Sequence, residues 1–313
     1  MSRAARTLPL GIDIGHRRVR VALTVRAPGA TPKLLAVAAR DHGGDPAGAL
    51  IDALEELHTR ERRCVLALGP PDAVLCTVDL PPMTSRERTP AARFEAARFI
   101  DYPIAEAAVA LVRTPLAHRW TIGIVRRSSL ARAMGAAKHA RLRPVAVDDC
   151  AFALQRAHPD AGGAIDVGSG VTRLTLFGDP IPFAFEAPIG GAQLTDAIAQ
   201  SLGVDVDAAE ERKRQIGFGG AGDAPREALL ATLAAAFADA RANGYRDPRT
   251  IVLCGNGSRI PGLAAEIARA TGHAVHPATF SPNCSDTLPP DVLRAAAADW
   301  TIAYGLSLWS TAS

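Results

Sequence analysis

Leu10-Gly-Ile-Asp-Ile-Gly-His-Arg-Arg-Val-Arg-Val-Ala-Leu23 decides how this chain is read. Apolar positions lead into an aspartate, a glycine follows two places later, and alternation resumes after three bulky polar residues. The pattern is a strand, a tight turn at Gly15–Arg18 and a second strand. It returns as Ala164-Ile-Asp-Val-Gly-Ser-Gly-Val-Thr-Arg-Leu-Thr-Leu176. One displacement superposes Asp13 on Asp166, Gly15 on Gly168 and Arg20 on Arg173. A unit that repeats once implies two equivalent lobes.

The chemistry follows from the bend. A glycine there is expected to take positive φ and bring amide N–H groups close to a ligand. Successive N–H groups form a nest suited to phosphate. An aspartate at the strand end can hold a hydrated Mg²⁺ against that phosphate, so Asp13 and Asp166 are candidate magnesium residues acting through water. Two such hairpins across a cleft would grip a nucleotide tail from both sides. The plain alternative is two ordinary hairpins whose aspartates only support their turns.

Composition narrows the class. The 313 residues are 48% hydrophobic with a formal charge of +3, which disfavours long disorder and a nucleic-acid coat protein. Five scattered cysteines without a CxxC pair fit neither a disulfide framework nor a zinc knuckle, and suggest a reducing compartment. Met1–Pro9 is too short and polar for a signal peptide, and no apolar run is long enough to span a bilayer. The expectation is a cytoplasmic α/β protein.

Two further elements lie in the second half. Thr250-Ile-Val-Leu-Cys-Gly-Asn-Gly-Ser-Arg-Ile-Pro-Gly-Leu263 reads as a buried strand, a Gly-x-Gly-Ser turn and a helix. Bare backbone at Gly255 and Gly257 lets a flat group lie against the loop, and Ser258 is a candidate cap for the helix; a plain β–α turn reads the same way. Gly190-Gly191 opens a helical run, followed by Ala208-Ala-Glu-Glu-Arg-Lys-Arg-Gln215, where Glu210 and Lys213 share a helix face. Lysine occurs only at 33, 138 and 213, against many arginines, so a compact ammonium at 213 suggests contact with ribose or adenine edges; a solvated charged face is the alternative.

Together these segments resemble the actin/Hsp70/FtsA ATPase superfamily and, more closely, the PilM-type proteins of the type IV pilus inner-membrane platform. Leu10–Gly15 is similar to the first phosphate strand and Ala164–Phe177 with Gly190-Gly191 to the second. Ala208–Lys213 is similar to an Ala-Glu-x-x-Lys motif, Val252–Leu263 to the adenosine motif, and Ala298–Leu308 to the closing helix. The resemblance implies an actin-like ATPase fold, two RNase-H-like lobes around a nucleotide cleft, with ATP and Mg²⁺ as ligands. Its nucleotide-binding set would be Asp13, Gly15, His16, Arg17, Asp166, Gly168, Ser169, Gly170, Gly190, Gly191, Glu210, Lys213, Gly255, Asn256, Gly257, Ser258 and Ile260.

It further implies an inserted subdomain like that called 1C in FtsA relatives. Residues 81–143 suit it: prolines break the strand before it, and twelve Arg/Lys face four acids. That excess points to an acidic partner or an anionic membrane face, or else to solvated helix faces. The implied division is 8–80, 144–163 and the closing helix 296–313 with the first lobe, 164–192 and 250–295 in the second, and 193–249 as a helical part. At the strand end after 144, a polar residue of the superfamily positions the attacking water; Asp148 stands there, with Asp166 as the other candidate catalytic carboxylate, although Asp148 equally suits a helix N-cap. The chain departs from its relatives in His16-Arg17-Arg18, in Arg20 for lysine and in Asn256 within a glycine run.

The function implied is an ATP-binding platform protein, peripheral at the inner membrane through its partner alone, that docks a PilN-like cytoplasmic tail between the main lobe and the insertion. A homo-oligomer is allowed and no nucleic acid is expected. The alternatives are an FtsA-like filament tether, a type II secretion module, a sugar kinase and a nucleotide-free scaffold.

Overall fold

The structure is a computed structural model that describes residues 5–178, 180–280 and 284–310. From the N-terminus come strands β1 (Arg6–Thr7), β2 (Leu10–Ile14), β3 (Arg18–Arg26) and β4 (Lys33–Asp41), then helix α1 (Pro46–Glu56) and β5 (Arg63–Leu68). Next are β6 (Ala73–Asp79), α2 (Ser85–Ala96), β7 (Ala107–Arg113), β8 (Arg119–Arg126), α3 (Arg127–His139), β9 (Arg143–Asp149) and α4 (Cys150–Ala157). The second half holds β10 (Gly163–Val167), β11 (Thr172–Leu176), β12 (Phe183–Ala187), α5 (Gly191–Leu202), α6 (Val206–Ile216) and α7 (Asp223–Ala242). It closes with β13 (Thr250–Cys254), α8 (Leu263–Thr271), β14 (Ala274–Pro277), α9 (Pro290–Asp299) and α10 (Thr301–Ser307).

The two hairpins seed two sheets of one topology. The first runs β4-β3-β2-β5-β9, with β1 also on β3, and the second runs β12-β11-β10-β13-β14. In each, three antiparallel strands are extended by two parallel ones. The central strand β10 is buried at all five residues, as a strand covered on both faces must be. Leu10, Ile12, Val19 and Val21 pack with Leu50 and Ala53 of α1, whose N-cap Asp45 accepts from the N–H groups of Ala47 and Gly48. Ile165 and Leu174 pack with Leu194, Ile198, Leu229, Phe237 and Ile267.

A further cluster joins the halves: Val65, Ala153 and Leu154 meet Ala164, Cys254, Ile302 and Leu306. Helix α10 is wedged there with no spare room. A Cβ on Gly11 would fall 1.8 Å from the Ala303 oxygen, and one on Gly305 would fall 1.9 Å from that of Ala153. All five cysteines are free and buried. Among the described residues, no helix is long and apolar enough to cross a membrane.

The segment read as an insertion packs differently from its sequence limits. A separate sheet, β6-β8-β7, carries α2 on one face around Cys76, Val78, Ile122 and Ile124. Strand β6 lies ahead of Pro81, because the prolines end that strand and do not mark the border of the small unit. Helix α3, inside the 81–143 segment, buries Ala136 and Ala137 in the first sheet's core, since its apolar stripe faces α1.

Candidate nucleotide cleft

The two bends have one backbone design. The Gly15 N–H donates to the Arg18 oxygen at 3.0 Å, and the Gly168 N–H donates to the Val171 oxygen at 2.9 Å. The expected positive φ is absent: none of Gly15, Gly168 and Gly170 lies in the left-handed region. Glycine is required there by close approach instead. A Cβ on Gly15 would sit 3.1 Å from the Arg18 oxygen, one on Gly168 3.0 Å from that of Val171, and one on Gly190 2.6 Å from that of Ser169. Gly255 needs both freedoms, with φ +75 and a Cβ position 2.4 Å from the Val167 oxygen.

Each strand-end aspartate has its own arginine across the hairpin. Asp13 lies 3.5 Å from Arg20, and Asp166 lies 3.5 Å from Arg173, which also pairs with Glu186 at 2.9 Å. Burial raises the Asp13 pKa, Arg20 and Arg173 pull it back, and the Asp166 charge pushes it up again. A residue of the first hairpin thus feels both members of the second pair, so the hairpins face each other. Asp149 joins them: burial pushes its carboxyl up to about 7 against the bond from the Ala151 N–H, with Asp148 raising it and Arg173 lowering it.

Asp148 itself turns elsewhere. Its carboxylate is bound by Arg156, which also donates to the Gly305 oxygen at 2.9 Å. The helix N-cap and the cleft acid are both Asp149, a residue that sequence reasoning misses. Glu186, paired with Arg173, is missed as well; its place opposite Arg173 in β12 is set by strand pairing.

The second bend is held by α5. The Gly191 and Ala192 N–H groups donate to the Gly168 and Ser169 oxygens, both at 2.8 Å, and Gln193 reaches the Gly170 oxygen at 3.2 Å. Lys213 braces this junction from α6. Its buried ammonium donates to Glu210 and Thr195 at 2.6 Å each and to the Gly191 oxygen at 2.9 Å. Three donors serve three protein acceptors, so Lys213 positions Gly191 instead of presenting a free cation. Burial works against the Glu210 charge, but the bonds from Lys213 and Thr195 hold its carboxyl below the usual range.

The first bend is held by other means. The His42 N–H donates to the Arg17 oxygen at 2.9 Å, and its Nε2 lies 3.1 Å from the Gly15 oxygen. Arg18 bonds Asp41 at 2.6 Å, with Arg17 4.0 Å from the same carboxylate, so Asp41 offsets part of the charge that these two guanidiniums bring to the bend. His16 reaches across. A Cβ added to Gly170 would meet the His16 ring at 3.0–3.3 Å, so the imidazole lies across the opposite bend.

The Asn256–Arg259 segment is a tight 3-10 turn against the end of β13, and a Cβ on Gly257 would reach 2.2 Å from Val167. Ser258 sits inside that turn and caps nothing, because α8 starts after Gly262. Asn256 is exposed, whereas Ile260 is buried in the second core. The Gly255 N–H donates to the Ala298 oxygen at 2.8 Å, and Arg259 pairs with Asp299 at 2.7 Å, so α9 backs the loop.

Two sheets of one topology, with glycine bends and strand-end aspartates opposed between them, define an actin-like ATPase fold. The family model described as type IV pilus assembly protein PilM matches residues 47–311, and the chain belongs to that family. A solved PilM-PilN type IV pilus biogenesis complex is 26% identical, with 96% of this chain and 97% of that chain covered and a TM-score of 0.78. The ethanolamine utilization protein EutJ from Carboxydothermus hydrogenoformans is 16% identical over 97% of this chain and 91% of that one, with a TM-score of 0.55, a likeness of fold. A search of curated protein sequences returns no match.

Proposed function

We propose that this chain is the cytoplasmic, ATP-binding member of a type IV pilus platform and docks the cytoplasmic tail of a PilN-like inner-membrane protein. The observation that carries the nucleotide reading is the opposition of Asp13–Arg20 and Asp166–Arg173, each pair beneath its own bend. Bend amides take the phosphates, the Gly255–Ser258 turn lies under the adenosine, and Lys213 and Glu210 hold Gly191 in place.

The acids fit a hydrated Mg²⁺ better than a directly ligated one. Among the described residues no three His, Cys, Asp or Glu side chains converge on a metal site. Asp13, Asp149, Asp166 and Glu186 nonetheless outnumber Arg20 and Arg173 around the cleft, and a dication balances that excess. Bound Mg²⁺ would supply charge neutralisation at the phosphates. Asp149, set at the end of β9, orients or accepts a proton from water there.

For the tail, the small sheet is read as residues 73–126 and offers the face that α2 leaves bare. Its rows are Leu75–Gly123–Ala110 and Thr77–Thr121–Val112, shallow and mostly small. A Cβ on Gly123 would meet only Leu75, at 3.8 Å, so an extended segment has room to lie across it. Calorimetry with a PilN-like tail peptide tests this: binding by the native chain and its loss in Gly123→Arg support the docking face, and no binding by the native chain removes it.

One observation favours a second reading, a nucleotide-free scaffold: the His16 ring already spans the bends. Titration with ATP and Mg²⁺ separates the two.

A further inference from the structure

The end of the first sheet farthest from the cleft carries a concentration of charge that neither nucleotide nor tail docking uses. Strands β5 and β9 run parallel, from Arg63 and Arg143 at one end to Leu68 and Asp149 at the other. Asp149 faces the cleft, so the starts of both strands lie at the opposite end. Two loops meet there: the Arg143 N–H donates to the Arg62 oxygen at 2.7 Å. They bring together Arg60, Arg62, Arg63, Lys138, Arg141 and Arg143, all exposed. The acids at this end are Glu55, Glu56, which pairs with Arg40, and Glu61, which pairs with Arg63, so six basic residues stand against three acids. Only Arg63 is in an ion pair, with Glu61; among the described residues the other five have none.

The centre of this end is a cavity of about 620 Å³ between the C-terminal ends of α1 and α3. Arg62, Arg141, His58 and His139 line it together with Thr59 and one acid, Glu55, over an apolar floor of Ile51, Leu54 and Ala140. Ile51 is 37% exposed. His58 and Arg141 hold φ of +47 and +55, a left-handed conformation that non-glycine residues adopt at a cost and that fixes where their side chains project. Helix dipoles account for Lys138 and His139 in the last turn of α3. They do not account for Arg60, Arg62, Arg141 and Arg143, which lie beyond the helix ends.

We propose that this end is a docking face for an anionic phospholipid surface, the cavity taking a phosphate headgroup and Ile51 meeting the acyl boundary. Clustered unpaired Arg and Lys are attracted to the anionic leaflet, while an apolar floor without aromatic side chains suits lipid better than stacked bases. Docked this way, the chain holds its cleft away from the bilayer. A direct contact then adds to the tether through a partner, where the sequence alone implies only the partner. The inference stands apart from nucleotide and tail binding, since vesicles contain neither.

The test is co-sedimentation of the full chain with vesicles of phosphatidylcholine, alone or with about 30% phosphatidylglycerol, at about 0.1 M and about 0.5 M salt. The native chain is expected to partition onto the anionic vesicles at low salt, at least tenfold more than onto neutral ones, and to be released at high salt. Arg62→Glu with Arg141→Glu is expected to lose at least about tenfold of that partitioning. Arg86→Glu with Arg113→Glu, an equal charge change on exposed residues of the small sheet's unit, is expected to stay within about twofold. If the first variant melts early, Arg60→Gln with Arg143→Gln is read in its place. Equal partitioning onto neutral vesicles, equal loss in both variants, or a duplex DNA oligonucleotide bound as tightly as the vesicles would each overturn the proposal.

Discussion

The hairpins at residues 10–23 and 164–176 are one design executed twice, and their differences are more instructive than their likeness. Both pair an aspartate with an arginine at 3.5 Å and close the bend with the same backbone bond. The first bend carries His16, Arg17 and Arg18 and is tied by His42 and Asp41, all from its own sheet and the loop after it. The second carries Ser169, Gly170 and Val171 and is tied by the start of α5, which Lys213 braces in turn. The repeat fixes where the bends lie. Turn residues and tethers decide which bend reaches across.

The largest expected effect falls where that architecture admits no side chain. Gly255→Ala puts a Cβ 2.4 Å from the Val167 oxygen at a φ of +75, and should destabilise by about 4 kcal/mol in denaturant unfolding. Gly170→Ala has only the His16 ring to move and should cost less than about 1 kcal/mol. Equal losses would break the distinction between backbone-limited and side-chain-limited glycines.

Lys213→Met strips the brace from the second bend and leaves Glu210 half-buried without its main partner. About 3 kcal/mol is expected, with hydrogen exchange rising at Gly191 and Ala192 and not at Gly15. A uniform rise across both bends would contradict separate tethering.

Asp149 sharpens the comparison through pH. Its folded pKa, about 7, lies above the usual 3.8, so the folded state binds the proton more tightly and gains stability from it at low pH. That gain is lost as pH rises from about 4 through about 7, on the order of 4 kcal/mol at most. Asp149→Asn keeps the helix cap and should flatten this slope, read by melting temperature across pH. Parallel pH profiles for the two proteins would place Asp149 in an ordinary solvated setting.

The smallest effect concerns His16. With its ring across Gly170, nucleotide has to displace it, so His16→Ser should tighten ATP binding by about fivefold, roughly 1 kcal/mol. Weaker binding would make the imidazole a phosphate ligand.

The sequence displays the hairpins because strand, bend and strand are adjacent and their alternation is local. It hides what depends on distant packing. Pairing of β5 with β9 shifts register between Cys64 and Val65, leaving Val145 as an extra residue. That bulge resets which face each later side chain takes, so alternation cannot choose between Asp148 and Asp149. Glu210 and Lys213 are neighbours on a helix and legible as such, whereas Gly191 and Thr195 reach them from α5. Likewise Cys76 and Val78 read as any half-buried strand, and only their pairing with β8 assigns them to the small sheet.

Isothermal titration of the native chain, Asp13→Ala and Asp166→Ala with ATP and Mg²⁺ tests the account most directly. Binding in the micromolar range, about −8 kcal/mol, is expected for the native chain and its loss from either variant. Unchanged affinity in both variants, or no heat from any of the three, would contradict a nucleotide held between these two bends.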